Sequence, residues 1–241
     1  MIYRDGNGRE LTEADLANAT GTVNWSIAGK DDVPQKAQVL HQQARVAGGA
    51  GDYKMALNLL SQANKEAPDW PYPLYDAGFT FLLTGETNKA LENYAAALRL
   101  APRGFFTAIT AVDTLKREKQ GDLPPGTYKQ FVQWEWMENP VEKKRAVESM
   151  IRQTPNFAPA YKELASLLDD DVASLQAIEK GLTHKPDAET RGFLLVNKSL
   201  ILSRQDKKEQ AVQILGDLIL NPATPTDIEQ IARSTLADIS R

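Results

Sequence analysis

The two histidines are the side chains of this sequence best suited to acid–base catalysis or metal binding near neutral pH. His41 and His184 lie far apart, and neither belongs to a His-x-x-x-His or Glu-x-x-His pair that would present two ligands on one helix face. The chain has no cysteine, which excludes thiolate chemistry, disulfides and cysteine-bound metals. We therefore predict neither a metal site nor a cofactor.

A group of three glutamates, Glu135, Glu138 and Glu142, is spaced roughly as on one helix face, which a paired-carboxylate mechanism would need. Pro140 falls between them, and proline cannot continue a helix because it lacks an N–H and fixes φ. We interpret these side chains as solvated carboxylates.

Two glycine-rich stretches share only part of the pattern of ligand-binding loops. Asp5-Gly-Asn-Gly-Arg9 begins like a calcium loop, but Arg9 stands where an oxygen ligand is required and Leu16 where the bidentate glutamate should be. Gly48-Gly-Ala-Gly-Asp52 lacks the Gly-Lys-Ser/Thr ending of a phosphate loop. We interpret both as turns and predict that the chain is not an enzyme.

The charge balance argues against two classes of partner. The 28 Lys and Arg against 32 Asp and Glu give a net charge of -4, whereas nucleic-acid binding needs clustered cations that displace phosphate counterions. No apolar run reaches the about 18 residues of a membrane span, and the first residues contain no apolar signal segment. We expect a cytoplasmic chain that binds neither nucleic acid nor membrane.

A repeat defines the elements that carry these residues. Two adjacent blocks of equal length, 37–70 and 71–104, align without a gap. Small residues at fixed offsets let the two helices of a hairpin approach closely, and a proline ends the second helix. The second block has Leu74, Ala77, Gly78, Phe81, Ala90, Tyr94, Ala97 and Pro102 at these offsets, and the first has Leu40, Gln43, Ala44, Ala47, Ala56, Leu60, Ala63 and Pro68.

These two blocks resemble tetratricopeptide repeats. The resemblance implies an all-α fold, a right-handed superhelical solenoid of antiparallel helical hairpins with a short N-terminal extension. It also implies a concave groove that binds a peptide or a partner helix. It does not imply a reaction.

Beyond residue 104 the repeat loosens, and we expect degenerate hairpins over 105–222, interrupted by a loop at 121–126. A terminal helix at 225–239 is expected to cover the last apolar edge. The helices before it are predicted at 105–119, 128–138, 141–153, 158–168, 172–183, 190–203 and 207–220.

The first 33 residues are predicted to form an extension that precedes a repeat domain at 34–241. Thr12 is placed to cap a short helix. Val23, Trp25 and Ile27 alternate as in a strand. Because a strand without partners is marginal, we expect this segment to lie extended against the first hairpin or inside the groove.

The resemblance further identifies groove-facing positions on the first helix of each repeat. The partner-binding candidates carried over in this way are His41, Arg45, Tyr72, Tyr75, Phe79, Phe106, Asp113 and Arg117. Aromatic rings give contact area at low entropic cost and arginines pair with carboxylates, so we predict an apolar peptide that carries a carboxylate. The subfamily that clamps chaperone C-termini has lysine and asparagine where this chain has His41 and Arg45, which argues against chaperone tails.

Two alternatives remain open at this point. The aromatic candidates could pack on another part of the same chain, because large exposed apolar patches are usually covered. The chain could also be a structural module, a monomer or weak homo-oligomer, that self-associates through a hairpin edge while its N-terminal segment fills the groove. Trp134 and Trp136 lie two positions apart, so we predict that one is core and the other is available as an interface anchor.

Overall fold

The computed structural model describes residues 2–4, 12, 24–26 and 33–240, and it confirms the predicted class of antiparallel helical hairpins. The chain forms two compact units, Met1–Ala77 and Gly78–Arg241. The predicted domain boundary between residues 33 and 34 stays a prediction.

The first unit contains two short strands, β1 (Ile2–Arg4) and β2 (Asn24–Ser26). They pair in antiparallel register with Tyr3 opposite Trp25. The predicted strand is confirmed in its central residues, but the expectation that it has no partner is wrong, because β1 supplies the ladder hydrogen bonds. The helix predicted to follow Thr12 lies outside the described residues.

The hairpin of the first repeat consists of α1 (Gln35–Gly49) and α2 (Tyr53–Glu66). Asp52 caps α2 because its side chain accepts a hydrogen bond from the Met55 N–H at 3.0 Å. Ala47, one of the predicted small residues of this hairpin, is 8% exposed. The other three are at most 1% exposed, which confirms their role in close helix packing. They are Ala44, Ala56 and Ala63.

The remaining helices follow in chain order. With the exception of the helix predicted at 105–119, every helix expected after residue 104 is present with ends within two residues of the prediction. They are α3 (Pro71–Leu83), α4 (Thr87–Leu100), α5 (Ala108–Gln120), α6 (Thr127–Val132) continued by a 3₁₀ helix (Gln133–Trp136), α7 (Pro140–Gln153), α8 (Ala158–Ser166), α9 (Asp171–Thr183), α10 (Ala188–Arg204), α11 (Lys208–Leu220) and α12 (Thr226–Ile239).

Gly78 shows why the second repeat needs a small residue. A Cβ atom at this position would lie 3.0 Å from Cγ of Tyr94 on α4. Tyr94 is 1% exposed and Ala90 is fully buried. The close approach of α3 and α4 therefore depends on the missing side chain, as the repeat predicted.

The interruption at residues 121–126 is a defined turn. Gly121 and Gly126 both adopt positive φ, of 82° and 87°, a conformation that glycine adopts without steric cost. The buried Glu118 carboxylate accepts hydrogen bonds from the N–H groups of Gly126 at 2.8 Å and Tyr128 at 2.7 Å. These bonds fix the direction in which α6 leaves the loop.

The C-terminal helices pack as two hairpins and a covering helix. Asp170 caps α9 by accepting a hydrogen bond from the Ala173 N–H at 2.9 Å. Ile228 and Ala232 of α12 are fully buried against α10 and α11. A Cβ atom at Gly192 of α10 would approach Ile228 Cγ2 to 2.4 Å, so α10 and α12 are in close contact.

Hydrogen bonds and an ion pair also join residues of the second unit that are distant in the sequence. The Arg103 guanidinium donates from Nε and Nη2 to the carbonyl oxygen of Thr224 at 3.0 and 2.9 Å and pairs with Glu229. The Thr226 N–H donates to the Arg103 carbonyl at 2.8 Å, and α5 contacts α10. A stack of hairpins that contact only their neighbours would not make these contacts.

Candidate partner-binding surfaces

His41, the first predicted groove residue, is a buried side chain of the first unit with 7% of its surface exposed. Its Nε2 donates a hydrogen bond to Oδ2 of Asp76 at 2.8 Å. Its ring meets Trp70 and Tyr72 edge-on, with centroid distances of 4.9 and 5.8 Å. These contacts hold the imidazole between α1 and the first part of α3 and leave little of it for a partner.

The other candidates of the first unit keep more of their surface in solvent. Arg45 is exposed on α1, and Tyr72 and Tyr75 are half-buried on α3. The Trp70 ring packs beside that of Tyr72 at a centroid distance of 5.4 Å. The partner-binding role of these residues stays a prediction.

Phe79 and Trp136 meet in the second unit. Their ring centroids are 6.4 Å apart and the ring planes are tilted by 31°. Phe79 is half-buried, whereas Trp136 is 71% exposed and the neighbouring Met137 is 38% exposed. We call these three side chains the Trp136 surface. It combines one residue predicted for the groove with one predicted as an anchor.

Trp134 explains why Trp136 points outward. Trp134 is 2% exposed and its ring packs edge-on against Phe131 at 5.4 Å. Because the 3₁₀ helix turns about 120° per residue, the Trp136 side chain, two positions further along the chain, points away from this core. The prediction of one core and one outward tryptophan is confirmed.

Phe106 lies in the turn before α5, not on the helix. Gly104 has a φ of 106° and Phe106 a φ of 47°, and neither value belongs to a right-handed helix. The predicted helix start at residue 105 is therefore wrong, and α5 begins at Ala108. Phe106 is 50% exposed with its ring against that of Phe105 at 4.7 Å. Its role toward a partner stays a prediction.

Asp113 and Arg117 are engaged with each other and with the rest of the second unit. Arg117 Nη1 lies 3.6 Å from Asp113 Oδ2, and Nη2 donates to the carbonyl oxygen of Asn156 at 3.0 Å. Burial, followed by the nearby Asp187 carboxylate, raises the pKa of Asp113. The partner-binding role of both residues stays a prediction.

A polar cluster that the sequence did not reveal joins α5 to α10. Thr110 Oγ1 donates to Oδ1 of Asp187 at 3.1 Å, and Thr190 Oγ1 donates to Oδ2 at 2.6 Å. The Thr110 N–H points at Glu189 Oε2 from 3.5 Å. We call Thr110, Asp187, Glu189 and Thr190 the Thr110 cluster.

Glu189 is the most perturbed group of the Thr110 cluster. It is 7% exposed, and this burial, followed by the nearby Asp187 charge, raises its pKa from 4.5 to about 8. Lys162 opposes the shift, although its ammonium also binds Glu163 at 2.9 Å. Glu189 is therefore protonated at neutral pH and packs as a neutral side chain.

The described part of the chain contains neither a cluster of metal ligands nor a membrane-spanning helix. Within it, no group of three or more histidine, aspartate or glutamate side chains is arranged to hold a metal ion. None of the helices in residues 33–240 combines the length and apolar character needed to cross a membrane.

No protein-family model and no curated protein matches the sequence. Solved structures that align with it include a tetratricopeptide repeat protein from Parabacteroides merdae, with 18% identity over 88% of this chain and 87% of that chain and a TM-score of 0.41. MamA from Desulfovibrio magneticus aligns with 17% identity over 84% of this chain and 98% of that chain, at a TM-score of 0.36. The TPR2AB domain of yeast Sti1, solved as a complex with pHSP90, aligns with 14% identity over 87% of this chain and 88% of that chain, at a TM-score of 0.40.

The repeat residues and the hairpins that they form identify the fold without help from these distant alignments. Small residues are buried at the predicted offsets in both repeats, Gly78 meets Tyr94, and further antiparallel hairpins follow to the covering helix α12. The chain is an all-α protein of antiparallel helical hairpins, and its residues 37–104 resemble tetratricopeptide repeats.

Proposed function

We propose that the chain is a cytoplasmic, non-enzymatic scaffold that binds a segment of a partner protein, and that the Trp136 surface anchors this segment. The supporting observation is the 71% exposure of the Trp136 ring beside the half-buried ring of Phe79. Tryptophan is the residue type most enriched among the side chains that dominate binding energy at interfaces. Both rings lie on helical backbone, so a partner would meet an ordered surface.

The charge around this surface indicates the chemistry of the partner. Glu138 and Glu142, which follow Trp136 in the chain, are both exposed. Arg117, which the sequence assigned to a partner's carboxylate, is 17% exposed and already paired. We therefore infer an apolar segment flanked by lysine or arginine, in place of the carboxylate-bearing peptide first predicted, because rim charges of opposite sign favour association.

Replacement of Trp136 by alanine tests the proposal. Partners captured by the immobilised full chain are identified by mass spectrometry, and the purified partner is then titrated against each variant. Loss of an interface tryptophan costs about 2 kcal/mol or more, so binding should weaken about 30-fold. The matched control is Leu220→Ala, because Leu220 is 82% exposed and lies on a different helix of the second unit. Unchanged capture and affinity with Trp136→Ala would contradict the proposal.

Self-association is the second candidate function, because the same exposed Trp136 ring would suit a second copy of the chain. Light scattering over a range of protein concentrations distinguishes the two functions. A mass that rises with concentration in the wild type, but not in Trp136→Ala, would favour a structural module over a scaffold for other proteins.

A further inference from the structure

The second unit contains a groove that belongs to neither the Trp136 surface nor the Thr110 cluster. It lies along α9 and α10 and has a volume of about 770 Å³. Val172, Leu175 and Leu202 form its apolar floor, and Val172 is 58% exposed. A groove of this kind offers apolar contact area that water covers poorly.

The walls of the groove are held in place by two ion pairs that connect its helices. Lys198 Nζ of α10 lies 2.6 Å from Glu179 Oε1 of α9. Arg204 of α10 binds the Asp171 carboxylate through Nε at 3.1 Å and Nη2 at 2.5 Å, the bidentate geometry that fixes both side chains. Both ion pairs connect the two helices that line the groove.

The dimensions of the groove fit a helix. Its lining on α9 runs from Val172 to Thr183, a rise of about 17 Å or three helical turns at 1.5 Å per residue. The groove is open to solvent. A small molecule would leave much of its own surface in water there, whereas an amphipathic helix would bury its apolar face and keep its polar face wet.

The charge of the rim indicates which charge the partner helix should carry. The carboxylates of Glu179 and Asp171 are neutralised by their ion pairs. Lys180 lines the groove and is exposed, and it makes no ion pair with any residue in the described ranges. An uncompensated cation beside an apolar floor favours a partner that brings a carboxylate.

We propose that the groove between α9 and α10 docks an amphipathic helix of a partner protein, with apolar side chains on the floor and a glutamate or aspartate next to Lys180. This site is separate from the proposed Trp136 surface. The two proposed partners differ in charge, because we infer lysine or arginine in the segment that binds the Trp136 surface. A partner that binds one of them has no electrostatic reason to bind the other.

A designed peptide tests the proposal on the full chain. The probe is a fluorescently labelled amphipathic peptide of about four helical turns, with leucines on one face and glutamates beside them, and binding is followed by anisotropy. A second probe has lysines in place of the glutamates. The variants are Val172→Asp, on the floor, and Lys180→Glu, on the rim.

Val141→Asp is the matched control, because Val141 and Val172 are both 58% exposed and both stand in the first turn of a helix. Val172→Asp should weaken binding of the acidic probe at least about tenfold, since it places a charge on the apolar floor. Lys180→Glu should weaken it about threefold to tenfold and should improve binding of the lysine probe. Val141→Asp should change neither.

Three results would overturn the proposal: no binding of the acidic probe to the wild type, equal binding of the two probes, or an affinity that Val172→Asp does not change. The Trp136→Ala variant separates this site from the proposed function. It should bind the acidic probe as the wild type does, so either proposal can fail alone.

Discussion

Replacement of Glu189 by glutamine tests the electrostatics of the contact between α5 and α10. The raised pKa means that the folded chain holds a proton on Glu189 that the unfolded chain releases between pH 4.5 and about 8. When the folded state binds more protons, stability falls as pH rises. The contribution of Glu189 is therefore fully present below pH 4.5 and is lost as pH rises through about 8.

The magnitude follows from the two pKa values. One pKa unit corresponds to about 1.4 kcal/mol, so a rise from 4.5 to about 8 corresponds to a total loss of about 5 kcal/mol. Between pH 6 and pH 9 the loss should be about 3 kcal/mol, because it flattens above the folded pKa. Glutamine has nearly the same shape and keeps an oxygen for the Thr110 N–H, but it cannot ionise.

Urea unfolding at pH 6, 7, 8 and 9 measures the effect as the difference between the two proteins, which cancels the groups that they share. Glu189→Gln should gain about 3 kcal/mol relative to the wild type over this range. Glu92→Gln, at an exposed position of α4, is the control and should follow the wild type. If the free energies of unfolding of Glu189→Gln and the wild type differed by the same amount at every pH, a protonated Glu189 would be refuted.

Two further predictions concern packing and capping. Gly192→Ala should lower the free energy of unfolding by about 1–2 kcal/mol in urea, because the new Cβ atom would approach Ile228 to 2.4 Å and overpacking outweighs the gain in helix propensity. Gly216→Ala, where the added atom meets nothing within 4 Å, should instead stabilise by up to about 1 kcal/mol, and a loss in both variants would contradict this account. Asp170→Ala should cost about 1 kcal/mol in the same assay because it removes the cap of α9, whereas Glu86→Ala, at a helix start without a side-chain cap, should cost less. Equal losses would assign no special role to Asp170.

The hairpins could be predicted because their signals are local. Gly78 and Ala90 stand a fixed distance apart within one repeat, and a small residue at each offset has a direct steric meaning. The same applies to Pro140, which starts α7, and to the two tryptophans of the 3₁₀ helix. In each case the cause lies within a few residues of its effect.

The polar contacts over long sequence distances could not be predicted, because their partners lie 77 residues apart at Thr110 and Asp187 and 126 apart at Arg103 and Glu229, and have common residue types. Nothing in a single sequence pairs Thr110 with Asp187 or Arg103 with Glu229. The groove assignment of Asp113 and Arg117 continued a repeat register past Gly104, where the positive φ values of Gly104 and Phe106 delay the helix. The sequence identified Phe79 and Trp136 as separate candidates, but it did not predict the contact between them.

The bonds between Arg103 and the segment from Thr224 to Glu229 have a consequence for how the second unit comes apart. In hairpin arrays whose members touch only their neighbours, the end of the chain can fray while the centre stays folded. Here α12 cannot detach without breaking the bonds to Arg103, which lies in the turn before α5 and 121 positions from Thr224. Closing a segment of that length is a late and entropically costly event. The second unit should therefore melt as one cooperative block and fold more slowly than a simple array of hairpins.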